Sequence, residues 1–284
     1  MKLKYTILGN CQAAPIAKLL NAQTNMSDTF EYLPLPGAVH TLKKENLNSI
    51  INTLNQIDLF IHQNISETYG KCFSSTALKQ HCKKSCQFIS IPSLYFTGYF
   101  PTFSYLRAIP EANKFSPYHD IDFIEHVLEY NNPVSEYHSK VTNRDYLGKY
   151  FVENSAIDSL SKLEKREKNL DIHISDFIEK NWKNEQLFFT INHPSLKVLL
   201  TITQKIMKTL ELEFIDINWN WEPLKTTVIP TYGYVLKHLN FKKPTKITQS
   251  GTTYSLKEYL KSQHQIYKNL DKKALQSSIH KNII

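Results

Sequence analysis

The chain has 284 residues, 41% of them hydrophobic, which is enough to bury a substantial core. It contains no run of about 18 apolar residues, and its first residues lack the apolar stretch of a signal peptide, so we expect a cytoplasmic protein without a transmembrane helix. The formal net charge of +8 is compatible with an anionic partner, and four cysteines are too few for a disulfide framework.

Apolar runs alternate with helical patterns over the first ninety residues. The pattern predicts helices at 13–25, 42–56 and 74–84, which separate strands at 4–8, 30–35, 58–63 and 87–92. Crossovers of this length impose parallel pairing and cover both faces of a sheet. We therefore predict an α/β fold, a three-layer α/β/α sandwich. With a further strand at 187–191, followed by a helix over 196–210, the mostly parallel sheet has five strands.

The alternation stops between residues 93 and 186, where aromatic side chains and short helical patterns dominate. Without a Gly/Ser linker or a repeat to mark a boundary, we predict a single domain over 1–284, with 93–186 as a mainly helical cap insertion. Its aromatic side chains fit either an acceptor cleft or the packing of the cap on the sheet: Tyr95, Phe96, Tyr99, Phe100, Phe103 and Tyr105.

Lysines are concentrated in a predicted basic, helical C-terminal segment, residues 237–284. We favour a solvated helical face for these lysines over contact with phosphates or with the inner face of a membrane. Nucleic-acid binding is not expected, because no recognised signature accompanies the charge. Two further possibilities stay open: peripheral association with a membrane or a capsule-assembly system, and formation of a homo-oligomer.

The turn Gly9-Asn10-Cys11-Gln12 places a thiol between the first strand and the first helix. Open α/β sheets bind ligands at this edge, and the start of a helix stabilises a thiolate. Cys11 is thus a candidate nucleophile, although a cysteine here is also often a small buried apolar residue. A metal site is not expected, since the pair Cys82 and Cys86 has no second pair at a usual spacing.

Two further strand ends carry polar side chains: Gln63 and Asn64 after the third strand, and Asn192 and His193 after the fifth. We expect them to meet Cys11 at the carboxyl edge of the sheet. The Gln63 and Asn64 amides, like that of Asn10, are candidate oxyanion donors, and His193 is the candidate base. This arrangement predicts a pKa for Cys11 below the value of about 8.5 for a free cysteine.

Five motifs together carry a resemblance to a known family. They are Gly9-Asn10-Cys11-Gln12, the strand end from Asp58 to Gln63, Phe96-x-Gly98-Tyr99-x-Pro101, Tyr118-His119-Asp120 and Asn192-His193-Pro194. Over roughly residues 4–240 the chain resembles the WcbI-type family of capsule polysaccharide biosynthesis proteins. The resemblance implies a modified SGNH-hydrolase-like or flavodoxin-like fold, coenzyme A binding and a proposed acetyltransferase role.

Carried over to this chain, the resemblance gives Cys11 the place of the SGNH serine and His193 that of the base. The SGNH pattern has an aspartate three residues before the histidine, where this chain has Thr190, so Asp120 or Asp122 is the expected orienting carboxylate. For coenzyme A, the resemblance implies contacts from Gly9, Asn10 and Cys11. Asn192 and Gln12 are included among the substrate-binding residues. Arginines that fit the coenzyme A phosphates are Arg107, Arg144 and Arg166.

The function expected from these features is acyl transfer, in particular acetyl transfer, from coenzyme A to a sugar of a surface or capsular polysaccharide or its precursor. Transfer either passes through an acyl-Cys11 intermediate or is direct, with His193 activating the sugar hydroxyl. Two alternatives remain: an SGNH-like thioesterase or deacylase with the same residues, and a non-catalytic coenzyme A or glycan-binding protein of a capsule-assembly system.

Overall fold

The first ninety residues build a parallel sheet, as their alternating pattern predicts. The computed structural model describes residues 1–241 and 243–281. Its first strands are β1 (Leu3–Leu8), β2 (Phe30–Tyr32), β3 (Leu59–Gln63) and β4 (Gln87–Ile91), which pair in parallel in the order β2-β1-β3-β4. The α/β class and the parallel pairing are confirmed, and the three-layer sandwich stays a prediction.

Helices alternate with these strands. They are α1 (Ala13–Asn21) and α2 (Thr24–Thr29) after β1, α3 (Leu47–Leu54) before β3, and α4 (Ser75–Lys79) before β4. The hydroxyl of Ser74 accepts the N–H of Ala77 and caps the start of α4. Ile50 of α3 and Leu78 of α4 pack with Phe60 of β3 in one buried cluster. One face of the sheet thus packs against apolar side chains of α3 and α4.

Contacts divide the chain into two compact units. The first contains Met1–Leu94, Lys162–Ile178 and Leu196–Pro223, and the second contains Tyr95–Ser161, Glu179–Ser195 and the described residues from Leu224 onwards. The parallel sheet belongs to the first unit. The predicted single domain with a cap insertion over 93–186 stays a prediction.

The second unit holds short hairpins and helices. Continuing in chain order, the elements are β5 (Phe103–Tyr105), β6 (Tyr118–Asp120), α5 (Ile121–Glu129), α6 (Pro133–Thr142), α7 (Lys149–Glu167), α8 (Ser175–Asn181), β7 (Phe188–Thr190) and β8 (His193–Pro194). Of these, α7 and α8 have residues in both units. The next helix, α9 (Leu196–Thr209), packs against α1 within the first unit.

The predicted fifth strand does not extend the parallel sheet. Its residues form β7, which pairs antiparallel with β8 in the second unit, so the parallel sheet of the described residues has four strands. The cause is a tight turn, because the Thr190 hydroxyl accepts the backbone N–H groups of both Asn192 and His193. Ser195 N then donates to Leu187 O at 2.8 Å. The prediction of five strands in the sheet is therefore wrong.

Most of the aromatic side chains that follow β4 are packed inside the second unit. Phe96, Tyr99, Phe100 and Phe103 are at most 4% exposed. The Phe96 ring lies 5.2 Å from that of Tyr99 and 5.4 Å from that of Phe188. For these four residues the structure supports core packing, whereas Tyr95 and Tyr105 are half-buried.

The C-terminal segment combines helices with a hairpin. Its elements are α10 (Gly233–Leu236), β9 (Ile247–Gln249), β10 (Thr252–Tyr254), α11 (Leu256–Tyr267) and α12 (Lys272–Lys281). Tyr259, Leu260 and Tyr267 are at most 1% exposed, so α11 belongs to the core of the second unit. Of the segment predicted over 237–284, residues 242 and 282–284 lie outside the described residues. Among the helices that the structure describes, none combines the length and apolarity needed to cross a membrane.

Candidate active site

The turn after β1 is held by its own polar groups. Asn10 Oδ1 accepts the N–H of Gln12 at 2.9 Å, and Asn10 O accepts the N–H of Ala13 at 3.1 Å. These bonds lead the chain directly into α1 and place Cys11 just before its start. Cys11 is partly exposed. The predicted turn that presents a thiol before a helix is therefore present.

A buried amide network fixes this turn to the neighbouring strand ends. Gln63 Oε1 accepts the N–H of Asn10 at 2.8 Å, and Gln63 Nε2 donates to Gln12 Oε1 at 2.9 Å and to Pro92 O at 3.3 Å. Gln12 in turn holds both backbone groups of Leu94, at 2.9 and 3.1 Å. Both glutamine side chains are 0% exposed. The Gln63 amide, expected as an oxyanion donor, already directs both N–H groups at protein oxygens.

Gly9 is required by the close approach of this network. A Cβ atom at Gly9 would lie 2.8 Å from Gln63 Oε1 and 3.2 Å from the Cβ of Ala13. Distances below 3.0 Å are not tolerated without movement of one partner. The glycine therefore allows the Gln63 amide to reach the N–H of Asn10.

Asn64 differs from Gln63 in its exposure. Its side chain is exposed, whereas the residues on either side of it are buried. The Ser75 hydroxyl braces this strand end, because it donates to Gln63 O and accepts the N–H of Ile65, each at 2.8 Å. Asn64 is thus presented at a fixed position on the surface of the first unit.

Burial controls the acidity of Cys11. It raises the pKa of the thiol to about 11, and the backbone N–H of Cys11 opposes this rise to a smaller extent. The expectation of a pKa below 8.5 is therefore wrong. With this pKa, Cys11 is predominantly a neutral thiol at pH 7.

His193 lies in the second unit, where Tyr118 contacts its ring. The Tyr118 hydroxyl lies 3.2 Å from His193 Nε2 and donates to Asn192 Oδ1 at 2.6 Å. Thr190, which stands where the SGNH pattern has an aspartate, contacts Asn192 Oδ1 at 3.1 Å and the backbone of His193. A tyrosine hydroxyl therefore contacts the imidazole here, and the backbone of Leu224 and Thr227 also hydrogen-bonds it.

The expected orienting carboxylate, Asp120, is engaged elsewhere. It is 1% exposed and accepts hydrogen bonds from the hydroxyls of Tyr137, at 2.7 Å, and Tyr232. Burial raises the pKa of Asp120, and these hydroxyls oppose that rise. The alternative candidate, Asp122, has its pKa raised to about 7 by burial and by the nearby Asp120. In the sequence, Tyr118 stands out only as part of the motif Tyr118-His119-Asp120. The signal that could have singled it out is its position two residues before Asp120 on β6, which puts both side chains on one face of the strand.

Burial also keeps His193 neutral. It lowers the pKa of the imidazole to about 4, and the backbone of Leu224 and Thr227 opposes this shift. A neutral imidazole at pH 7 is in the form that accepts a proton. Arg107, the candidate for a coenzyme A phosphate, is exposed with its guanidinium 5.7 Å from the ring centroid of Tyr105. The Tyr105 ring lies 5.5 Å from that of Tyr118.

Chemistry-bearing side chains therefore occur in both units. The first unit brings together Gly9, Asn10, Cys11, Gln12, Gln63 and Asn64, and the second contains Asn192, His193, Asp120 and Arg107. In the described part of the chain, no three His, Cys, Asp or Glu side chains group in a way that would hold a metal ion.

Comparisons with known proteins find a family and a solved structure that are similar to this chain. The model of the family described as polysaccharide biosynthesis enzyme WcbI matches residues 4–214. A solved structure of WcbI, described as a novel polysaccharide biosynthesis enzyme in its native form without a disulfide bond between coenzyme A and one of its cysteines, superposes with a TM-score of 0.87. It is 22% identical, and the match covers 99% of this chain and 94% of that one. No curated protein matches significantly.

Proposed function

Because the chain belongs to the WcbI family of polysaccharide biosynthesis enzymes, we propose that it transfers an acyl group, in particular acetyl, from coenzyme A to a sugar of a surface or capsular polysaccharide or its precursor. The observation that carries this proposal is the turn at Cys11, which a fully engaged amide network holds at the start of α1. Coenzyme A is supported as the donor by the similar WcbI structure, which is described as the native protein without a disulfide bond between coenzyme A and one of its cysteines.

His193 is the proposed base. In the transfer, the sugar oxygen attacks the thioester carbonyl, the new C–O bond forms and the C–S bond breaks. His193 takes the hydroxyl proton and returns it to the leaving coenzyme A thiolate, so no further reactant is needed. Support comes from the pKa of about 4, which keeps the ring in its proton-accepting form throughout the neutral range.

The acidity of Cys11 favours direct transfer over an acyl-Cys11 intermediate. A thiol with a pKa of about 11 is almost entirely protonated at pH 7 and is a poor nucleophile without a base. In the direct route Cys11 acts in binding, next to the coenzyme A sulfur. A cysteine in that position would form a mixed disulfide with coenzyme A under oxidising conditions.

Binding contacts are proposed from the exposed and partly exposed groups. Arg107 and the half-buried Tyr105 provide a cation and a ring for a phosphate and a base of the donor. Asn64 and Asn192 provide amides for the oxygens of thioester or sugar, while Gly9, Asn10, Gln12 and Gln63 keep the turn in shape. The same proposal places the protein in the cytoplasm or at the inner face of the membrane. It also includes the formation of a homo-oligomer.

The test is transfer of labelled acetyl from acetyl-CoA to a chemically de-O-acetylated surface polysaccharide of the producing cell. His193→Gln should lower kcat roughly 10²-fold or more, the usual contribution of a general base. Cys11→Ser should retain kcat within about threefold under direct transfer. Cys72→Ser, a substitution of another partly buried cysteine, is the matched control.

The same assay separates the alternatives. Acetyl-CoA hydrolysis at the same rate with and without sugar would indicate a thioesterase. Coenzyme A that raises the melting temperature without any turnover would indicate a binding protein. No change in melting temperature at millimolar coenzyme A, together with a flat titration, would remove coenzyme A from the proposal.

A further inference from the structure

A pair of thiols lies in the turn that leads from α4 to β4. Cys82 N donates to Lys79 O at 3.1 Å. Cys86 N donates to Lys83 O at 3.0 Å, so the chain folds back on itself between the two cysteines. The two thiols hydrogen-bond each other. Both are free cysteines; Cys86 belongs to the apolar cluster around Phe60, and Cys82 packs against that cluster. The fold thus holds two sulfurs in contact.

Each sulfur also has a weak contact to a backbone carbonyl. Cys82 Sγ lies 3.9 Å from Leu78 O, and Cys86 Sγ lies 3.4 Å from Gln87 O. A thiol is a poor hydrogen-bond donor, so these contacts resist little of the movement that brings two sulfurs to bonding distance. In the part of the chain that the structure describes, no third His, Cys, Asp or Glu side chain completes a metal site with them. The pair therefore fits a disulfide rather than a metal ion.

The contact between the sulfurs makes one of them acidic. It lowers the pKa of Cys86 and raises that of Cys82, because the Cys82 thiol donates to the Cys86 thiolate. Lys83 lowers the pKa of Cys86 further, while burial and the charge of Asp58 oppose it. A proton that crosses the hydrogen bond moves the thiolate to Cys82, which is half-buried and more accessible than Cys86. The pair thus supplies the nucleophile that exchange with a disulfide requires.

We propose that Cys82 and Cys86 form a redox-modification site, at which a low-molecular-weight disulfide such as glutathione disulfide oxidises the two thiols to an intramolecular disulfide. The inference goes beyond the proposed acyl transfer and does not depend on it, because it rests on the contacts of the turn between α4 and β4.

The oxidation takes two exchange steps. The thiolate of the pair attacks one sulfur of glutathione disulfide, so a bond between protein and glutathione forms, the glutathione S–S bond breaks, and one glutathione thiolate leaves. The other cysteine then gives up its proton and attacks the protein sulfur of this mixed disulfide, which expels the second glutathione thiolate. The two cysteines lose two electrons and two protons in total, and two molecules of reduced glutathione gain them. Excess reduced glutathione reverses both steps.

The experiment treats the folded full chain with glutathione disulfide, blocks the remaining thiols and identifies peptides by mass spectrometry without reduction. Trypsin cuts between the two cysteines, after Lys83 and Lys84, so the disulfide joins two separate peptides, Gln80–Lys83 and Ser85–Arg107. We expect this linked pair of peptides as the main oxidation product, and its loss after treatment with dithiothreitol.

Two cysteines four residues apart also meet in an unfolded chain, so the decisive measurement is a comparison. Buffers of reduced glutathione and glutathione disulfide give the equilibrium constant of disulfide formation, both in the folded chain and in the chain unfolded in urea. We expect the constant to be at least about tenfold higher in the folded chain, because the fold already holds the sulfurs together.

Two variants serve as controls. In Cys86→Ser, only a mixed disulfide of Cys82 with glutathione should form. Cys72→Ser removes a half-buried cysteine outside the pair and should leave the equilibrium constant unchanged.

An equal or lower equilibrium constant in the folded wild type overturns the proposal, and this measurement needs no variant to fold. A mixed disulfide at Cys82 or Cys86 that never proceeds to the linked peptides overturns it as well. None of these outcomes tests acyl transfer, so the failure of this site and the failure of the proposed function are distinguishable.

Discussion

Gly9→Ala tests whether the amide network shapes the Cys11 turn. The added methyl group would lie 2.8 Å from Gln63 Oε1 and 3.0 Å from Gln63 Cδ. The backbone itself accepts alanine, because Gly70 and Gly251 are the glycines of the described chain with positive φ. The perturbation is therefore steric, and its direct result is displacement of the Gln63 amide from the N–H of Asn10.

The magnitude follows from three contributions. A buried N–H that loses its partner costs about 1–3 kcal/mol, and Asn10 is 8% exposed. Overpacking by one methyl group adds about 1–3 kcal/mol, and the lower entropy of the unfolded alanine chain offsets about 0.4–1 kcal/mol. The middle of this range is a loss of about 3 kcal/mol, or roughly 6–12 °C in melting temperature for a chain of this size class.

The assay is thermal unfolding followed by circular dichroism, with coenzyme A titrated into each folded variant. Gly148→Ala is the control, because a Cβ atom at Gly148 meets nothing within 4 Å. We expect the control to melt within about 2 °C of the wild type. Gly9→Ala that melts as the wild type does, and binds coenzyme A equally well, would refute the role given to the network.

Three further predictions follow from burial. Cys11 should react slowly with iodoacetamide at pH 7 and faster up to about pH 11, as measured by peptide mass spectrometry; a pH 7 rate like that of an unfolded thiol would contradict its raised pKa. Burial lowers the pKa of His62 and His119 in the folded protein to about 4. As the pH falls below about 6.5, these histidines are protonated in the unfolded chain but not in the folded one, so the free energy of unfolding declines towards pH 4. At pH 5 the free energy of unfolding should be lower by on the order of 2 kcal/mol for each histidine. Equal melting temperatures at pH 7 and pH 5 would contradict this prediction. Truncation after Ser250 should abolish cooperative unfolding of the second unit by removing the buried Tyr259, whereas weaker retention on a polyanion with folding intact would support an exposed basic tail.

The elements of the first unit were predictable because their signals are local. Alternating apolar runs predicted β1, β3 and β4 to within one residue at each end, and the helix over 196–210 corresponds to α9. Helix ends were predicted less well. The helix over 74–84 ends at Lys79 in the structure, because the chain continues there in turns whose bonds span three residues.

The pairing of 187–191 was not predictable from its pattern. A short apolar run is typical both of a buried parallel strand and of one arm of a hairpin. What distinguishes them here is the Thr190 hydroxyl, which closes the turn onto Asn192 and His193. That bond is visible in the sequence only as a threonine before Asn-His, which many extended segments also contain.

The C-terminal segment shows the limit of charge as a signal. Its lysines indicate a solvent-exposed helical face, whereas the side chains between these lysines pack in the core. Tyr259, Leu260, Gln263 and Tyr267 recur along α11 at helical spacing and are each at most 2% exposed. A periodicity count over this helix, rather than its net charge, would have predicted that it belongs to a core.

Burial explains why Cys11 does not have the low pKa that its position before a helix predicts. Desolvation penalises whichever form carries charge, so it raises the pKa of the Cys11 thiol to about 11 and lowers that of the His193 imidazole to about 4. With these pKa values, the Cys11 thiol and the His193 imidazole are both uncharged at pH 7. In the proposed direct transfer, His193 therefore accepts its proton from a hydroxyl that becomes acidic only as its oxygen bonds to the thioester carbonyl. This is the behaviour of a general base in direct transfer.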